Sequence, residues 1–495
     1  MLQLIQNAFA HTSSTAVVSN GKSFTYDQLL EDSLSWANQL LNDSDDLQEE
    51  RIAFMVSPGY AYVALQWGIW RAGGVAVPLC VKHPIDSIRY TIEDTQASVV
   101  VYAPEFEELL RPLMGQKSIR FIQTGNSAQV ISGDLPEFSA SRRAMILYTS
   151  GTTGKPKGVV TTHANIETQV ETLVTAWEWQ ATDHILNVLP LHHVHGIINA
   201  LTCALWSGAC CEFLEKFSEE AILDKFQLGE VNIFMAVPTI YYKLINQYAI
   251  LPEAQQEQIS AQLVKFRLMV SGSAALPVST LEKWKIISNH TLLERYGMTE
   301  IGMAVSNPYV GERRPGHIGQ ALPGVEIRLV DEHNLPVITA QAGEIQVKGA
   351  NVFKEYWQKP EATAGTFTDD GWFKTGDIAT VVDGYYRILG RNSVDIIKSG
   401  GYKISALEIE EVLRTHPQIN ECAVVGLADE EWGELIAACL ILSDDFSDID
   451  LKALTKWLKE KVPGYKIPRK YLIIEELPRN VMGKVTKQEV KGLFA

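Results

Sequence analysis

The sequence predicts an α/β protein with a large N-terminal domain over 1–390 and a small α+β C-terminal domain over 391–495. The large domain is expected to contain two α/β subdomains and a small antiparallel β subdomain. Three observations lead there. The chain has 495 residues, too many for one ordinary core and enough for roughly two to four packed units. Helical and strand patterns alternate through the first 140 residues and again over 184–305, the grammar of parallel sheets flanked by helices. Near 315 the text changes to strands separated by turns.

The elements follow in order. Tyr26–Leu41 places Leu29, Leu30, Trp36 and Leu40 at helical spacing. Segments 51–56 and 75–79 read as short buried strands around the helical run Tyr60–Arg71. The second α/β stretch has strand candidates at 233–237 and 268–271. Pro315-Gly-His-Ile-Gly319 is a turn-rich link. After it come strands at 325–330, 344–348, 378–382 and 385–389, the last two flanking Asp383-Gly384, a type I′ hairpin signal. From Ser405 the pattern is mixed: helix 406–415, strands 421–426 and 435–442, helix 451–461. Gly390-Arg391-Asn392-Ser393 marks the boundary.

Composition narrows the function. The apolar fraction is 46%, that of a globular protein. A formal charge of -16, from 43 basic and 59 acidic residues, argues against a general nucleic-acid or membrane binder. It leaves room for a local basic patch around an anion. Six cysteines form no CxxC pair and mostly lie in apolar runs, which reads as reduced core thiols of a cytoplasmic protein. The first residues lack the basic start and apolar run of a signal peptide, and no apolar stretch reaches about 18 residues. Oligomeric state is left open.

The chemistry is concentrated in Tyr148-Thr149-Ser150-Gly151-Thr152-Thr153-Gly154-Lys155-Pro156-Lys157-Gly158. Small residues let backbone N–H groups approach an anion. The Thr149, Ser150, Thr152 and Thr153 hydroxyls can donate to phosphate oxygens, and Lys155 and Lys157 add charge. The spacing is not that of a Walker loop. Gly151 and Gly154 are separated by two residues where the Walker pattern has four, and Pro156 follows Lys155 where Ser or Thr is needed. The proline also keeps the loop from running into a helix interior.

Five blocks together resemble the adenylate-forming superfamily of acyl-CoA synthetases, luciferases and peptide-synthetase adenylation domains. They are 148–158, Tyr296-Gly-Met-Thr-Glu300, Gly371-Trp-Phe-Lys-Thr-Gly-Asp377, Tyr386-Arg-Ile-Leu-Gly-Arg391 and Pro478-Arg-Asn-Val-Met-Gly-Lys484. The resemblance covers nearly the whole chain. Leu189-Pro-Leu-His-His-Val-His-Gly196, Glu294-Arg-Tyr-Gly-Met-Thr-Glu300 and Ser393-Val-Asp-Ile-Ile-Lys-Ser-Gly-Gly-Tyr-Lys403 resemble malonyl-CoA synthetases in particular, which also take methylmalonate. Such enzymes turn ATP and an acid into an acyl-adenylate and pyrophosphate, then let coenzyme A displace AMP.

The resemblance implies roles residue by residue. Glu300 matches the magnesium ligand, a hard oxygen suited to Mg²⁺, and Thr299 the residue beside the α-phosphate. Tyr296 offers a face to adenine, with Ser273 and Ala274 lining the same side. Asp377 and Arg391 match the ribose-binding pair. Lys484 matches the adenylation lysine, and His193 the residue gating the acyl pocket. Gly400, Gly401 and Lys403 match positions lining the coenzyme A tunnel. At the hinge the family's Asp or Lys is replaced by Ser393, in a segment one residue longer, so Ser393 and Asp395 are both pivot candidates.

Arg295 is the candidate for substrate choice. A guanidinium beside the acyl pocket suits the second carboxylate of a small dicarboxylic acid, with Lys243 a weaker second cation. His192, His193 and His195 lie within four residues of one another, but no cysteine or carboxylate completes a zinc set. The reading is therefore a malonate–CoA ligase using ATP, Mg²⁺ and coenzyme A. The alternatives are a ligase for another small acid, a carrier-protein loader, or a nucleotide-binding scaffold without turnover.

Overall fold

The computed structural model describes residues 2–115, 118–125, 135–149, 155–480 and 483–494. Four sheets carry the architecture. A seven-stranded sheet runs in the order Glu355–Tyr356, Lys157–Thr162, Arg143–Thr149, Val75–Pro78, Arg51–Met55, Val99–Tyr102, Arg120–Gln123. From Arg143–Thr149 onward its strands are parallel, and those over 51–55, 75–78 and 99–102 are almost wholly buried. Parallel strands covered on both faces need such continuous apolar runs.

A nine-stranded sheet follows the same logic. Its parallel centre comprises Leu293–Met298, Leu268–Ser271, Ile233–Ala236, His184–Leu186, Cys210–Phe213 and Thr15–Ser19. The sequence suggested two sheets formed in succession. Instead Thr15–Ser19 and Lys22–Thr25 close the far edge of the second sheet, while Glu355–Tyr356 returns to the first. The helix Tyr26–Leu41 lies at this crossover. Its start is fixed by reciprocal bonds: Gln28 N–H donates to Thr25 Oγ1 (3.2 Å), and Thr25 N–H donates to Gln28 Oε1 (2.9 Å).

Glu326–Val330, Gly343–Lys348, Phe373–Val382 and Tyr385–Arg391 form the small antiparallel sheet. Asp383 and Gly384 both have positive φ, 51° and 77°, as a type I′ turn requires. A last sheet pairs Tyr402–Ser405, Ile396–Ser399, Gly433–Leu442 and Ile419–Asp429, with Lys470–Ile473 beside Gly433–Leu442. Helices Ala406–Leu413 and Leu451–Lys459 bury Leu413, Leu454 and Leu458 in its own core.

The parallel strands converge where function is expected. Ser271 and Arg295–Met298 sit at strand ends, and ligands of open α/β sheets bind outside those carboxyl ends. The space there is a cleft of about 2310 Å³ between the large domain and the C-terminal unit. Tyr242 spans it, its hydroxyl donating to Asn420 Oδ1 (3.0 Å).

Candidate active site

The acid side is built from two neighbouring parallel strands. Val270 pairs with Leu293 and Ser271 with Glu294, so the next residues, Gly272 and Arg295, are neighbours. The guanidinium rests on Gly272, where a Cβ would stand 2.5 Å from Arg295 Cζ. A Cβ there would displace the guanidinium from its seat. Arg295 is 4% exposed and lines the cleft, and its Nε and Nη2 have no hydrogen-bond partner. Burial pushes it down to about 9, a value that still leaves it cationic at neutral pH. Leaving a buried cation unpaired is expensive, so the pocket is organised to receive an anion.

Lys243, the weaker second cation candidate, lines the outer cleft. It is largely exposed and paired with Glu219 at 3.1 Å. Glu294, beside Arg295 in sequence, accepts from Gly316 N–H (2.9 Å). Burial raises its carboxyl to about 8, with Glu411 of the C-terminal unit adding to the shift.

His193 Nε2 is buried and unpartnered. Burial holds the imidazole well below its usual value, with His192 and Lys484 contributing. Ser273 places its Oγ 3.1 Å from His195 Nδ1, while Ala274 is exposed on the cleft wall.

On the phosphate side, Thr149 pairs with Lys157 across antiparallel strands. The strands on either side of the glycine-rich segment are thus antiparallel neighbours. Ser150, Gly151, Thr152, Thr153 and Gly154 lie outside the described residues. Tyr148 donates to Asp94 Oδ2 (2.5 Å) and Tyr90 to the Pro156 carbonyl (2.9 Å), fastening both ends. The Lys155 and Lys157 ammoniums lie over the Tyr90 and Tyr356 rings at 5.6 and 4.9 Å.

Glu300 and Thr299 share the turn after Leu293–Met298. Glu300 is 5% exposed, and its Oε1 accepts from Tyr356 (2.8 Å). Burial raises its pKa, with Tyr356, Arg391 and Lys157 opposing. Among the described residues no three His, Cys, Asp or Glu side chains cluster as a metal cage. One buried carboxylate fits Mg²⁺ shared with phosphates and water. Tyr356 had no sequence signal; only the return of its strand to the first sheet brings it to Glu300.

The nucleotide side lies across the small antiparallel sheet. Asp377 and Arg391 are register partners, with Arg391 Nε 3.7 Å from Asp377 Oδ1. Tyr296 donates to Asp377 Oδ2 (2.6 Å), joining the nine-stranded sheet to the small one. Burial raises the Asp377 pKa; Arg391, Tyr296 and Lys484 oppose it.

Lys484 reaches the same cleft from the C-terminal unit. Its turn is held by Lys484 N–H donating to Asn480 Oδ1 (3.0 Å). The side chain keeps water-accessible surface, but that surface faces the cleft. Desolvation lowers its pKa, with Arg295 and Arg391 adding and Asp377 opposing. Gly400 and Gly401 instead form the turn between Ile396–Ser399 and Tyr402–Ser405, and Lys403 donates to Glu332 Oε2 (3.2 Å). These three do not line the cleft. Ser393 is exposed in the link. Asp395 Oδ2 accepts from Arg391 N–H (3.1 Å), with Oδ1 3.8 Å from Lys487 Nζ.

The model of the AMP-binding enzyme family matches residues 4–357, and that of the AMP-binding enzyme C-terminal domain matches 408–484. The chain belongs to the AMP-binding enzyme family. Relatives of this AMP-binding enzyme include a mitochondrial malonate–CoA ligase of Bos taurus, 46% identical over 90% of this chain and 81% of that protein. A malonate–CoA ligase of Arabidopsis thaliana is 40% identical over 99% and 88%. Among solved structures, ATP-bound MatB from Rhodopseudomonas palustris is 32% identical over 100% and 99%, with a TM-score of 0.90. The apo form of that protein scores 0.83. The resemblance drawn from the five sequence blocks is thereby confirmed at family level.

Proposed function

We propose that this protein is an ATP-dependent, AMP-forming acyl-CoA synthetase that converts malonate, ATP and coenzyme A into malonyl-CoA, AMP and pyrophosphate. The observation that carries the choice of acid is Arg295, a buried guanidinium with unpartnered nitrogens at the floor of the cleft. One malonate carboxylate attacks the α-phosphorus; the other neutralises Arg295. Relatives named malonate–CoA ligases at 40–46% identity support the same acid.

The chain's own groups divide the work. Asp377 accepts from the ribose hydroxyls and Arg391 steadies them. Thr299 and Lys484 meet the α-phosphate, where negative charge grows during attack. Glu300 would hold Mg²⁺, which supplies charge neutralisation at the phosphates when bound. Coenzyme A then attacks the acyl carbonyl, the C–S bond forms, and AMP leaves with the C–O bonding pair. The turn around Asp395 moves with the C-terminal unit, which leaves 391–393 as the pivot and lets Gly400, Gly401 and Lys403 approach the thiol channel after rotation.

Two measurements test this. Malonate should exceed butyrate in kcat/KM by at least about tenfold, since a monoacid leaves a buried charged donor unsatisfied at roughly 1–3 kcal/mol; comparable values refute the acid assignment. Lys484→Ala should slow adenylation by about a hundredfold or more. It should slow thioesterification of supplied malonyl-adenylate far less. Equal losses in both half-reactions would remove Lys484 from the adenylation step.

A further inference from the structure

The helix Val278–Ser288 borders the cleft and begins without a cap of its own. Pro277 stands at its N-cap position and offers no side-chain acceptor. The first N–H groups of a helix have no partner within it, and the positive end of its dipole favours a carboxylate. Here the carboxylate comes from the other unit. Val278 N–H donates to Glu411 Oε2 (3.3 Å), and Glu411 belongs to the helix Ala406–Leu413 of the C-terminal unit.

Glu411 is aimed from its own side. Arg414 Nη1 donates to its other oxygen, Oε1 (3.2 Å), and Arg414 Nη2 is fixed by Glu410 and the Cys422 carbonyl, both at 3.3 Å. The Glu411 charge adds to burial in raising the Glu294 carboxyl, so it acts within the large domain. The Tyr242–Asn420 hydrogen bond is a second contact between the units. Val278, Glu411, Tyr242 and Asn420 all line the cleft that Lys484 enters.

We infer that Glu411 is a positioning residue for adenylation: it caps a helix of the large domain across the cleft and holds the C-terminal unit where Lys484 meets the α-phosphate. The inference rests on the two-step reading above. Turning the unit about 391–393 returns the Val278 N–H and the Glu411 carboxylate to water. The cap therefore favours the arrangement for adenylation and opposes the one for thioesterification. Losing a helix cap shifts such an equilibrium by roughly three- to tenfold.

The test measures both half-reactions in single turnovers: pyrophosphate release with malonate, and thioesterification of supplied malonyl-adenylate. The proteins are the parent, Glu411→Ala, Val278→Pro and the double variant. Proline suits the first helical position and removes the N–H, and Pro277 already has the extended ψ, 132°, that a following proline favours. Each single change should slow pyrophosphate release about three- to tenfold and leave thioesterification unchanged or faster. The double variant should be no slower than either single one, since both remove the same contact. Equal slowing of both half-reactions, additive losses in the double variant, or pyrophosphate release at the parent rate would overturn the role. If Glu411→Ala does not fold, Val278→Pro decides by the same split. A second readout needs no acid. Cys210 is the one cysteine that is not buried, so a Cys210→Ser background carries spin labels on Ile286→Cys and Lys456→Cys, both exposed helix positions. With ATP the parent should show one dominant distance and Val278→Pro a second population. An unchanged distribution sinks the cap. A shifted distribution in an enzyme that releases no pyrophosphate with malonate sinks only the choice of acid.

Discussion

Arg295 and Lys487 are cations buried to a similar degree, 4% and 8% exposed, in opposite surroundings. Lys487 lies inside the C-terminal unit. Its ammonium binds the Glu410 carboxylate and the Val424 carbonyl (2.7 Å), with Asp395 Oδ1 at 3.8 Å. Glu410 also takes Val424 N–H (2.8 Å) and the Arg414 guanidinium (3.3 Å). Arg295 Nε and Nη2 have no such partners. Burying a charge is tolerable when the counter-charge is built in, as at Lys487. At Arg295 the counter-charge is left to the substrate. Compensation thus separates a cation belonging to the fold from one belonging to the reaction.

The comparison is most exposed at Lys487. Lys487→Met leaves the buried Glu410 carboxylate to Arg414 and the Val424 N–H and should cost about 1–3 kcal/mol, read from denaturant unfolding; a loss below about 1 kcal/mol would place Lys487 in the same class as Arg295. Arg295→Met should have the opposite stability signature, unchanged or raised by about 1 kcal/mol, because an uncompensated charge is removed. Destabilisation beyond about 1 kcal/mol would mean the guanidinium serves the fold after all.

Glu294 sharpens the same contrast on the acidic side. Its folded pKa, about 8, lies above the ordinary 4.5, so the folded chain penalises the ionised carboxyl. The penalty is absent below the unfolded value, grows as pH rises from 4.5 to 8, and is constant beyond. Glu294→Gln should therefore raise stability more at high than at low pH. The difference in gain between roughly pH 8.5 and roughly pH 5.5 should be on the order of 3 kcal/mol. A gain independent of pH would assign the effect to packing.

What the sequence made legible were features set by local pattern. The Tyr26–Leu41 and Tyr60–Arg71 helices end where their apolar periodicity ends, and Asp383-Gly384 turns as its residue types demand. Arg295 stood out because a guanidinium beside the acyl pocket suits a second carboxylate. Illegible features depend on distant chain. Nothing at Thr15–Ser19 announces its pairing with Cys210–Phe213. Tyr356 meets Glu300 only through sheet closure, and the Lys243–Glu219 pair is a matter of helix placement. The Gly400-Gly401 turn reads equally well as a ligand tunnel or as the plain hairpin found. Ser273 reads as a nucleotide contact until its positive φ and its bond to His195 are seen.

The edge strand at Thr15–Ser19 also governs how the molecule is made. Val17 pairs with Cys211, so a ribosome emits nearly two hundred residues before the N-terminal strand meets its neighbour. At typical synthesis speeds that is roughly 10–40 s of waiting. During that interval Ala16 and Val17, both fully buried in the finished protein, have no native shelter. Completion of the nine-stranded sheet thus waits on residues far downstream, and until then its unpaired strand edges are open to other chains.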